Sequence, residues 1–276
     1  MTSTRTTTSP QDVAINCSTL LTELPVLERA AAARDAGFER VEFWWPFETA
    51  TPSPQEVDAF AASIREAGVQ LVGLNFFAGD MPAGDRGIVS HVGRELEFAE
   101  NVDIVVSLGE RLGCRAFNAL YGLRVEGQDP AEQDETAVRN LELAAREVAR
   151  IRGTVLIEPV SGAEAYPLKT AADALSIIDR VRTAGTRNVK LLADFYHLAV
   201  NGDDVAAVIE EHAADFGHIQ IADSPGRGAP GTGDLPLHEW IERSRALGYG
   251  GDVALEYKQD RATAFDWLAE PAVTAS

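Results

Sequence analysis

The sequence predicts an α/β protein that folds as a single (β/α)8 TIM barrel. Along the 276 residues, eight short β-rich apolar runs alternate with eight segments of helical periodicity, a pattern typical of parallel sheets with crossover helices. Most of the runs are near-continuous hydrophobics, as expected for strands that are buried on both faces. Eight such units favour closure into a barrel. An open doubly wound sheet is the alternative, but no GxGxxG motif follows the first run to support a dinucleotide site.

The predicted strands are short and consist mainly of aliphatic and aromatic residues. In chain order they are DVAINCS (12–18), RVEFWW (40–45), QLVGLNFF (70–77), RAFNALYG (115–122), TVLIEPV (154–160), VKLLADF (189–195), HIQIAD (218–223) and DVALEYK (252–258).

The predicted helices lie between these strands. The first covers 25–37, with Pro25 in its first turn and Gly37 past its end, and the second covers 53–68, with Ser53 as a candidate cap and Gly68 as a stop. Apolar periodicity predicts the others. They lie at 90–112, 132–151, 170–183, 203–215, 236–247 and, as a short last helix, 262–270.

The N-terminal stretch 1–11 is polar and rich in threonine, without an apolar core segment. We therefore expect a short disordered tail rather than a signal peptide, followed by one barrel domain over 12–276. No apolar run approaches the roughly 20 residues that span a membrane. The two cysteines, Cys17 and Cys114, form no CxxC pair, which fits a reducing cytoplasm.

The formal net charge is −19. Such an acidic surface repels nucleic-acid phosphates and anionic membranes, so neither is an expected partner. A small-molecule substrate remains the expected partner, and the sequence leaves homo-oligomerisation open. An anionic substrate would need a local cation or a metal.

Four polar side chains interrupt the last four apolar strands near their C-terminal ends. They are Glu158, Asp194, Gln220 and Glu256. These ends converge in a barrel on the face where active sites are built. Clustered ionised carboxylates repel one another and lose hydration, so they need a compensating cation.

A divalent metal ion is the simplest such cation. All four side chains offer oxygen ligands, which favours a hard ion such as Mg²⁺ or Mn²⁺. Three carboxylates and one dication still sum to −1, so a nearby cation or a protonated carboxyl is expected. Lys258 follows Glu256 by two residues and shares its face of the strand. The alternative is that these residues cap helices or pair with arginines.

The sequence resembles the hydroxypyruvate isomerase family, within the wider sugar isomerase/epimerase and endonuclease IV-like barrel superfamily. The resemblance covers nearly the whole chain after the tail. The stretches that carry it are NCSTLLTELP (16–25), GFERVEFWWPF (37–47), NFFAGDMPAGDRGI (75–88), IEP (157–159), ADFYH (193–197), HIQIADSPGRGAPGTG (218–233), LGYGG (247–251) and LEYK (255–258).

The resemblance implies that Glu158, Asp194, Gln220 and Glu256 hold the metal and that the two glutamates transfer protons. It also implies that His197 and Arg227 bind substrate, as in related ketose 3-epimerases. Those epimerases have a histidine in place of Gln220, so this glutamine favours the isomerase branch. We expect Arg227 or Lys258 to hold a substrate carboxylate or terminal oxygen, and Asn75 to line the pocket or cap a loop.

The expected activity is isomerisation of a small hydroxy-keto acid through an enediol, with hydroxypyruvate and tartronate semialdehyde as the first candidates. The alternative is 2-oxotetronate isomerisation or ketose 3-epimerisation on the same scaffold. Two other classes are an endonuclease IV-like nuclease, which uses several zinc ions and more histidines, and a non-catalytic sugar-binding barrel.

Several residues have open roles at this point. Glu42 is expected to bind substrate or to orient an arginine. Trp44 and Trp45 are expected to wall the pocket or, for at least one of them, to pack under a loop. Asp223 is expected to pair with Arg227 or His197, or to form a turn. His91 is expected at a helix start, facing solvent.

Overall fold

Eight parallel strands close into a barrel in the computed structural model, which describes residues 9–183 and 185–268. The strands are β1 (Ala14–Asn16), β2 (Arg40–Phe43), β3 (Gln70–Asn75), β4 (Ala116–Asn118), β5 (Thr154–Ile157), β6 (Val189–Asp194), β7 (Phe216–Ile221) and β8 (Val253–Leu255). Each strand pairs with its neighbours in sequence, and β1 closes the ring on β8. The predicted (β/α)8 barrel is confirmed, and the open sheet is not observed.

Helices follow the strands and cover the outside of the barrel. The α-helices of the described residues are α1 (Arg29–Asp35), α2 (Pro54–Ala67), α3 (Glu95–Leu112), α4 (Pro130–Ala149), α5 (Ala171–Thr183), α6 (Phe195–Val200), α7 (Val205–His212) and α8 (Leu237–Ala246). The predicted last helix is only a 3-10 turn over Asp266–Leu268, and its final two positions lie outside the described residues.

The signals at the ends of α2 act as the sequence predicts. Ser53 and Glu56 form a reciprocal capping box, Pro54 occupies the first turn, and Gly68 ends the helix with a left-handed φ of 68°. The side chains that α2 buries are spaced three and four residues apart, so one face of the helix packs on the barrel. They are Val57, Phe60, Ala61 and Ile64.

One helix prediction is wrong in detail, and one short helix was missed in the sequence. The helix expected from residue 90 begins at Glu95, because Gly93 has a φ of 89° that no α-helix contains. His91 therefore precedes the helix, and it is buried rather than solvent-facing. The short helix α6 was not predicted, although it begins directly after β6 and carries His197.

The barrel has two distinct apolar regions. The large core lies between strands and helices, and it includes the edge-to-face contact of Phe43 with Phe60. Ala14, Val72 and Ala254 form a small separate cluster on β1, β3 and β8. Side chains alternate across a strand, so these small residues face away from the helices. On β1 and β8 the residues two positions further on, Asn16 and Glu256, are polar and face the same interior.

The structure also bears on the cysteines, on membrane-spanning helices and on the N-terminal tail. Cys17 and Cys114 are both free and buried. None of the helices in 9–183 and 185–268 has the length and hydropathy of a bilayer-spanning segment. Residues 1–8 of the expected tail lie outside the described part, and Pro10–Asp12 form a 3-10 turn capped by Ser9.

Candidate active site

A cavity of about 1330 Å³ opens at the C-terminal ends of the strands. The segments that follow seven of the eight strands contribute to its wall, from Trp44 after β2 to Glu256 after β8. The face is the one on which TIM barrels place their catalytic groups.

Three carboxylates and an imidazole meet at the base of this cavity. Glu158, Asp194, His197 and Glu256 each offer one ligand atom, and these atoms lie within 4.8 Å of one another. All four side chains are buried. Glu158 directly follows β5, Asp194 ends β6, and Glu256 directly follows β8. A buried acidic cluster of this kind could hold a metal ion.

Burial and mutual repulsion disfavour the charged form of these carboxylates. Burial, and then the charges of Glu256 and Asp194, raise the pKa of Glu158 well above its ordinary value. Burial likewise raises the pKa of Asp194 and raises that of Glu256 to about 7, although Arg227 opposes both shifts. The cluster therefore binds protons readily, and a divalent cation would displace them.

Arg227 supplies the positive charge that the sequence led us to expect near the cluster. Its Nη2 donates to Glu256 Oε2 at 2.7 Å and lies 3.8 Å from Asp194 Oδ2. The guanidinium also stacks over the Tyr196 ring, 5.4 Å from its centroid. With three ionised carboxylates and one dication, this arginine would bring the total charge to zero.

The loop after β7 holds Arg227 in place, and Asp223 organises that loop. Asp223 Oδ1 accepts hydrogen bonds from the backbone of Ser224 and Leu235, and Oδ2 accepts one from Gly231, at 2.8–3.0 Å. Both oxygens are thus used within the loop. Of the roles left open for Asp223, the structure places it as the loop former and not as a partner of Arg227 or His197.

His197 presents a hydrogen-bond donor to the cluster. Its Nδ1 accepts the backbone N–H of Ser161 at 3.1 Å, so Nδ1 carries no proton. Burial, and then the charge of Arg227, lowers the pKa of His197 to about 3, so the ring is neutral. The proton must then sit on Nε2, which lies 3.6 Å from Asp194 Oδ2 and 3.8 Å from Glu158 Oε1. In this tautomer His197 can donate to a substrate oxygen, and it cannot ligate a metal through Nε2.

Gln220 lies next to Asp194, its register partner across β6 and β7. Its Nε2 donates to Glu42 Oε1 at 2.6 Å. Its Oε1 is buried and has no hydrogen-bond partner among the described residues. A buried amide oxygen without a partner is unfavourable unless a ligand satisfies it. Together with the three carboxylates, this oxygen fits a hard divalent cation.

The two glutamates receive different numbers of hydrogen bonds. Glu158 Oε2 accepts one, from Asn118 Nδ2 at 2.7 Å. Glu256 Oε1 accepts two, from Trp44 Nε1 at 2.8 Å and from Asn16 Nδ2 at 3.1 Å, in addition to the bond from Arg227. No sequence signal indicated that the Trp44 indole donates to Glu256.

The last two predicted substrate-binding residues, Asn75 and Lys258, both line the cavity. Asn75 is buried at the end of β3, beside Asn118 in the register of β4. Lys258 is exposed, and among the described residues its ammonium group has no hydrogen bond or ion pair. It is therefore free to meet an anionic group that enters the cavity.

Comparisons with protein families, curated sequences and solved structures all find proteins that match most of this chain. The family model for xylose isomerase-like TIM barrels matches residues 30–275. The chain is 52% identical to a Streptomyces coelicolor protein named "Putative hydroxypyruvate isomerase", over 92% of this chain and 94% of that protein.

Two further relatives are each 32% identical to this chain. The hydroxypyruvate isomerase of Escherichia coli K12 aligns with 90% of this chain and 93% of its own length, and the 2-oxo-tetronate isomerase of Cupriavidus necator with 92% and 96%. Among solved structures, an AP endonuclease, family 2, from Brucella melitensis matches with a TM-score of 0.82 and 32% identity, covering 94% of this chain and 98% of that one.

Proposed function

Since this chain belongs to the hydroxypyruvate isomerase family, within the xylose isomerase-like TIM barrels, we propose that it is a metal-dependent isomerase that interconverts hydroxypyruvate and tartronate semialdehyde. The observation that carries the proposal is the pair of buried glutamates, Glu158 and Glu256, at the base of one cavity. The curated relatives indicate that this chain is an isomerase. The substrate and the mechanism are what we propose.

The reaction moves one proton between two adjacent carbons. A base takes the proton from C3 of hydroxypyruvate, and the C2 carbonyl oxygen gains a proton, which gives an enediol. The proton is then delivered to C2 while the C3 hydroxyl loses its proton, which leaves the carbonyl at C3. Glu158 and Glu256 perform these transfers, because burial raises the pKa of both carboxyl groups and so favours the uptake of a proton, with the pKa of Glu256 at about 7. General acid–base action of this kind contributes roughly 10² to 10⁴-fold to the rate.

We assign the metal site to Glu158, Asp194, Gln220 and Glu256, with Mg²⁺ or Mn²⁺ as the cation. When bound, the cation supplies Lewis-acid stabilisation of the negative charge that develops on the substrate oxygens. Asp194 Oδ1 caps α6 through the backbone N–H groups of Tyr196 and His197, which leaves Oδ2 for the site.

The other cavity residues bind and orient the substrate. His197 donates Nε2–H to a substrate oxygen. Lys258 holds the carboxylate, while Arg227 contributes positive charge from its position on Glu256. Asn75 offers an amide at the end of β3. Together these groups admit a small anion into a chain with a net charge of −19.

The test is an isomerase assay with the purified protein, stripped of metal and reconstituted with Mn²⁺ or Mg²⁺. We expect turnover of hydroxypyruvate that requires the added ion. Glu158→Gln and Glu256→Gln should each lower kcat by at least about 100-fold, because each removes a proton-transfer group. Near-wild-type turnover in both variants would exclude this assignment.

A longer substrate is the second candidate. The cavity of about 1330 Å³ exceeds what a three-carbon acid needs, and the C. necator relative is named for a 2-oxotetronate substrate. A panel of hydroxypyruvate, 2-oxotetronates and ketoses in deuterated water separates the cases. An isomerase moves the carbonyl to the adjacent carbon and incorporates deuterium at the carbon that was the carbonyl, which is C2 for hydroxypyruvate. A 3-epimerase incorporates deuterium at C3 of a ketose and leaves the carbonyl in place.

A further inference from the structure

We propose that Glu42 is a positioning residue whose carboxylate fixes the side-chain amide of Gln220, so that Gln220 Oε1 faces the carboxylate cluster. Glu42 lines no part of the cavity and touches the cluster only through other side chains. This inference rests on the proposed function, because it takes the cluster to be a metal site.

The carboxylate of Glu42 is buried, and each of its oxygens has at least one hydrogen-bond partner. Oε1 accepts hydrogen bonds from Gln220 Nε2 at 2.6 Å and from Asn16 Nδ2 at 2.8 Å. Oε2 lies 2.6 Å from His218 Nε2. The sequence led us to expect that Glu42 binds substrate or orients an arginine. Its partners are instead a histidine and two amides.

An ionised carboxylate can only accept hydrogen bonds. Of the two ends of the Gln220 amide, only the NH2 group can therefore face Glu42, and the oxygen must face away from it. The register of β6 and β7 places Gln220 beside Asp194 on the same face of the sheet. The oxygen that turns away from Glu42 is the buried atom without a partner.

Glu42 is itself held by its surroundings. Asn16 cannot reverse its own amide, because its Oδ1 accepts the backbone N–H of Ser18 at 2.9 Å. The ring of His218 is also buried, and its contact with Oε2 holds the second oxygen of the carboxylate. On the neighbouring strand, a Cβ on Gly73 would lie 3.0 Å from Glu42 Oε2 and 3.1 Å from its Cβ. Gly73 leaves the space that this carboxylate occupies.

The experiment measures Mn²⁺ affinity by titration calorimetry for the wild type and two variants at position 42. In Glu42→Gln an amide oxygen can still accept from Gln220 and Asn16, so we expect affinity within about fivefold of wild type. Glu42→Met removes the acceptor, and we expect affinity about 10- to 100-fold weaker, the usual effect of losing a group that orients a metal ligand. Wild-type affinity in Glu42→Met, or an equal loss in Glu42→Gln, would overturn the proposal.

A double-mutant cycle separates positioning from a general loss of structure. Gln220→Met should weaken Mn²⁺ binding about as much as Glu42→Met does. If Glu42 acts through Gln220, the double variant binds no more weakly than Gln220→Met alone. Additive losses would contradict this. Melting temperatures of the metal-free variants report any effect on folding separately.

A crystal structure of the wild-type protein with Mn²⁺ bound is a further test. It uses no variant, so its outcome does not depend on whether a variant folds. We expect Gln220 Oε1 as a ligand of the ion and Nε2 on Glu42. An ion bound by the three carboxylates without Gln220 would refute the role of Glu42 while leaving the proposed function intact. A protein that binds no divalent ion in the calorimeter would refute both.

Discussion

At the scale of single residues, Glu256 accepts hydrogen bonds from more side chains than Glu158 does. Trp44, Asn16 and Arg227 all donate to Glu256. Donors to a carboxylate favour its ionised form, and burial opposes them. Burial, together with the charges of Asp194 and Glu42, outweighs Arg227 and raises the pKa of Glu256 to about 7, close to the pH at which a general base is most effective.

Replacing Trp44 by phenylalanine tests the contribution of one donor. Trp44→Phe removes the indole N–H from Glu256 Oε1 and keeps an aromatic ring. The loss of a hydrogen bond to a charged group is worth about 1.5 to 3 kcal/mol. Less stabilisation of the ionised form raises the pKa, so the acid limb of the pH profile of kcat/KM should move to higher pH.

The matched control is Trp45→Phe, because the Trp45 indole donates to the Thr49 carbonyl and not to Glu256. Its acid limb should coincide with that of the wild type. If the two variants have the same pH profile, the hydrogen bond of Trp44 does not influence the proton transfer.

Sequence reasoning anticipated where the carboxylates would meet but not what surrounds them. Glu158, Asp194 and Glu256 could be expected together, because polar residues at the ends of parallel strands converge on one face of a barrel. The partnership of Glu42 with Gln220 joins residues that are 178 apart in the chain. Such a pairing depends on barrel closure and side-chain rotamers, which no local pattern encodes.

At the scale of elements, β6 and α6 meet at Asp194, which ends the strand and caps the helix. A helix of 6 residues carries too little apolar periodicity to be recognised in a sequence. The run VKLLADF instead continues the apolar pattern of the strand, so its last residue was assigned to the strand. The cap geometry brings His197 to the cluster.

The loop after β7 provides a second prediction at this scale. Asp223→Asn keeps one acceptor oxygen and replaces the other by an NH2 group, so at least one backbone N–H of the loop loses its partner. We expect unfolding to become about 1–3 kcal/mol easier. Activity should fall as well, because the same loop carries Arg227. Thermal or denaturant unfolding and steady-state kinetics measure the two effects.

Asp234→Asn in the same loop is the control. The backbone N–H of Asp234 bonds to the Ser224 carbonyl, and its side chain has no hydrogen bond or ion pair with another described residue. The substitution changes the same charge without disturbing the loop. A loss of stability equal to that of Asp223→Asn would assign the effect to charge rather than to loop structure.

At the scale of the whole molecule, the active site makes folding depend on pH. Burial raises the pKa of Glu158, Asp194 and Glu256, so the folded chain binds protons more tightly than the unfolded chain does. The ordinary values lie near 4. The stability of the metal-free protein therefore contains a contribution that falls as the pH rises from about 4 through the folded-state values.

A bound metal reverses this dependence, because the ion competes with protons for the same oxygens. We expect the rise in melting temperature on adding Mn²⁺ to be larger at pH 8 than at pH 5.5. The buried histidines add their own pH dependence, because folding lowers the pKa of His197 and raises that of His218 relative to the unfolded chain.

Comparison with Glu158→Gln isolates the carboxylates from the histidines. The variant keeps both histidines but has one carboxyl fewer to titrate. Its metal-free stability should therefore fall less steeply between pH 5.5 and 8 than that of the wild type, and Mn²⁺ should stabilise it less. Parallel pH profiles of unfolding free energy for the two metal-free proteins would mean that Glu158 has the same proton affinity in the folded and unfolded chains. The three carboxylates come together only when β5, β6 and β8 are in place in the closed barrel. The difference between the two pH profiles therefore measures how much the repulsion within the cluster opposes closure of the barrel.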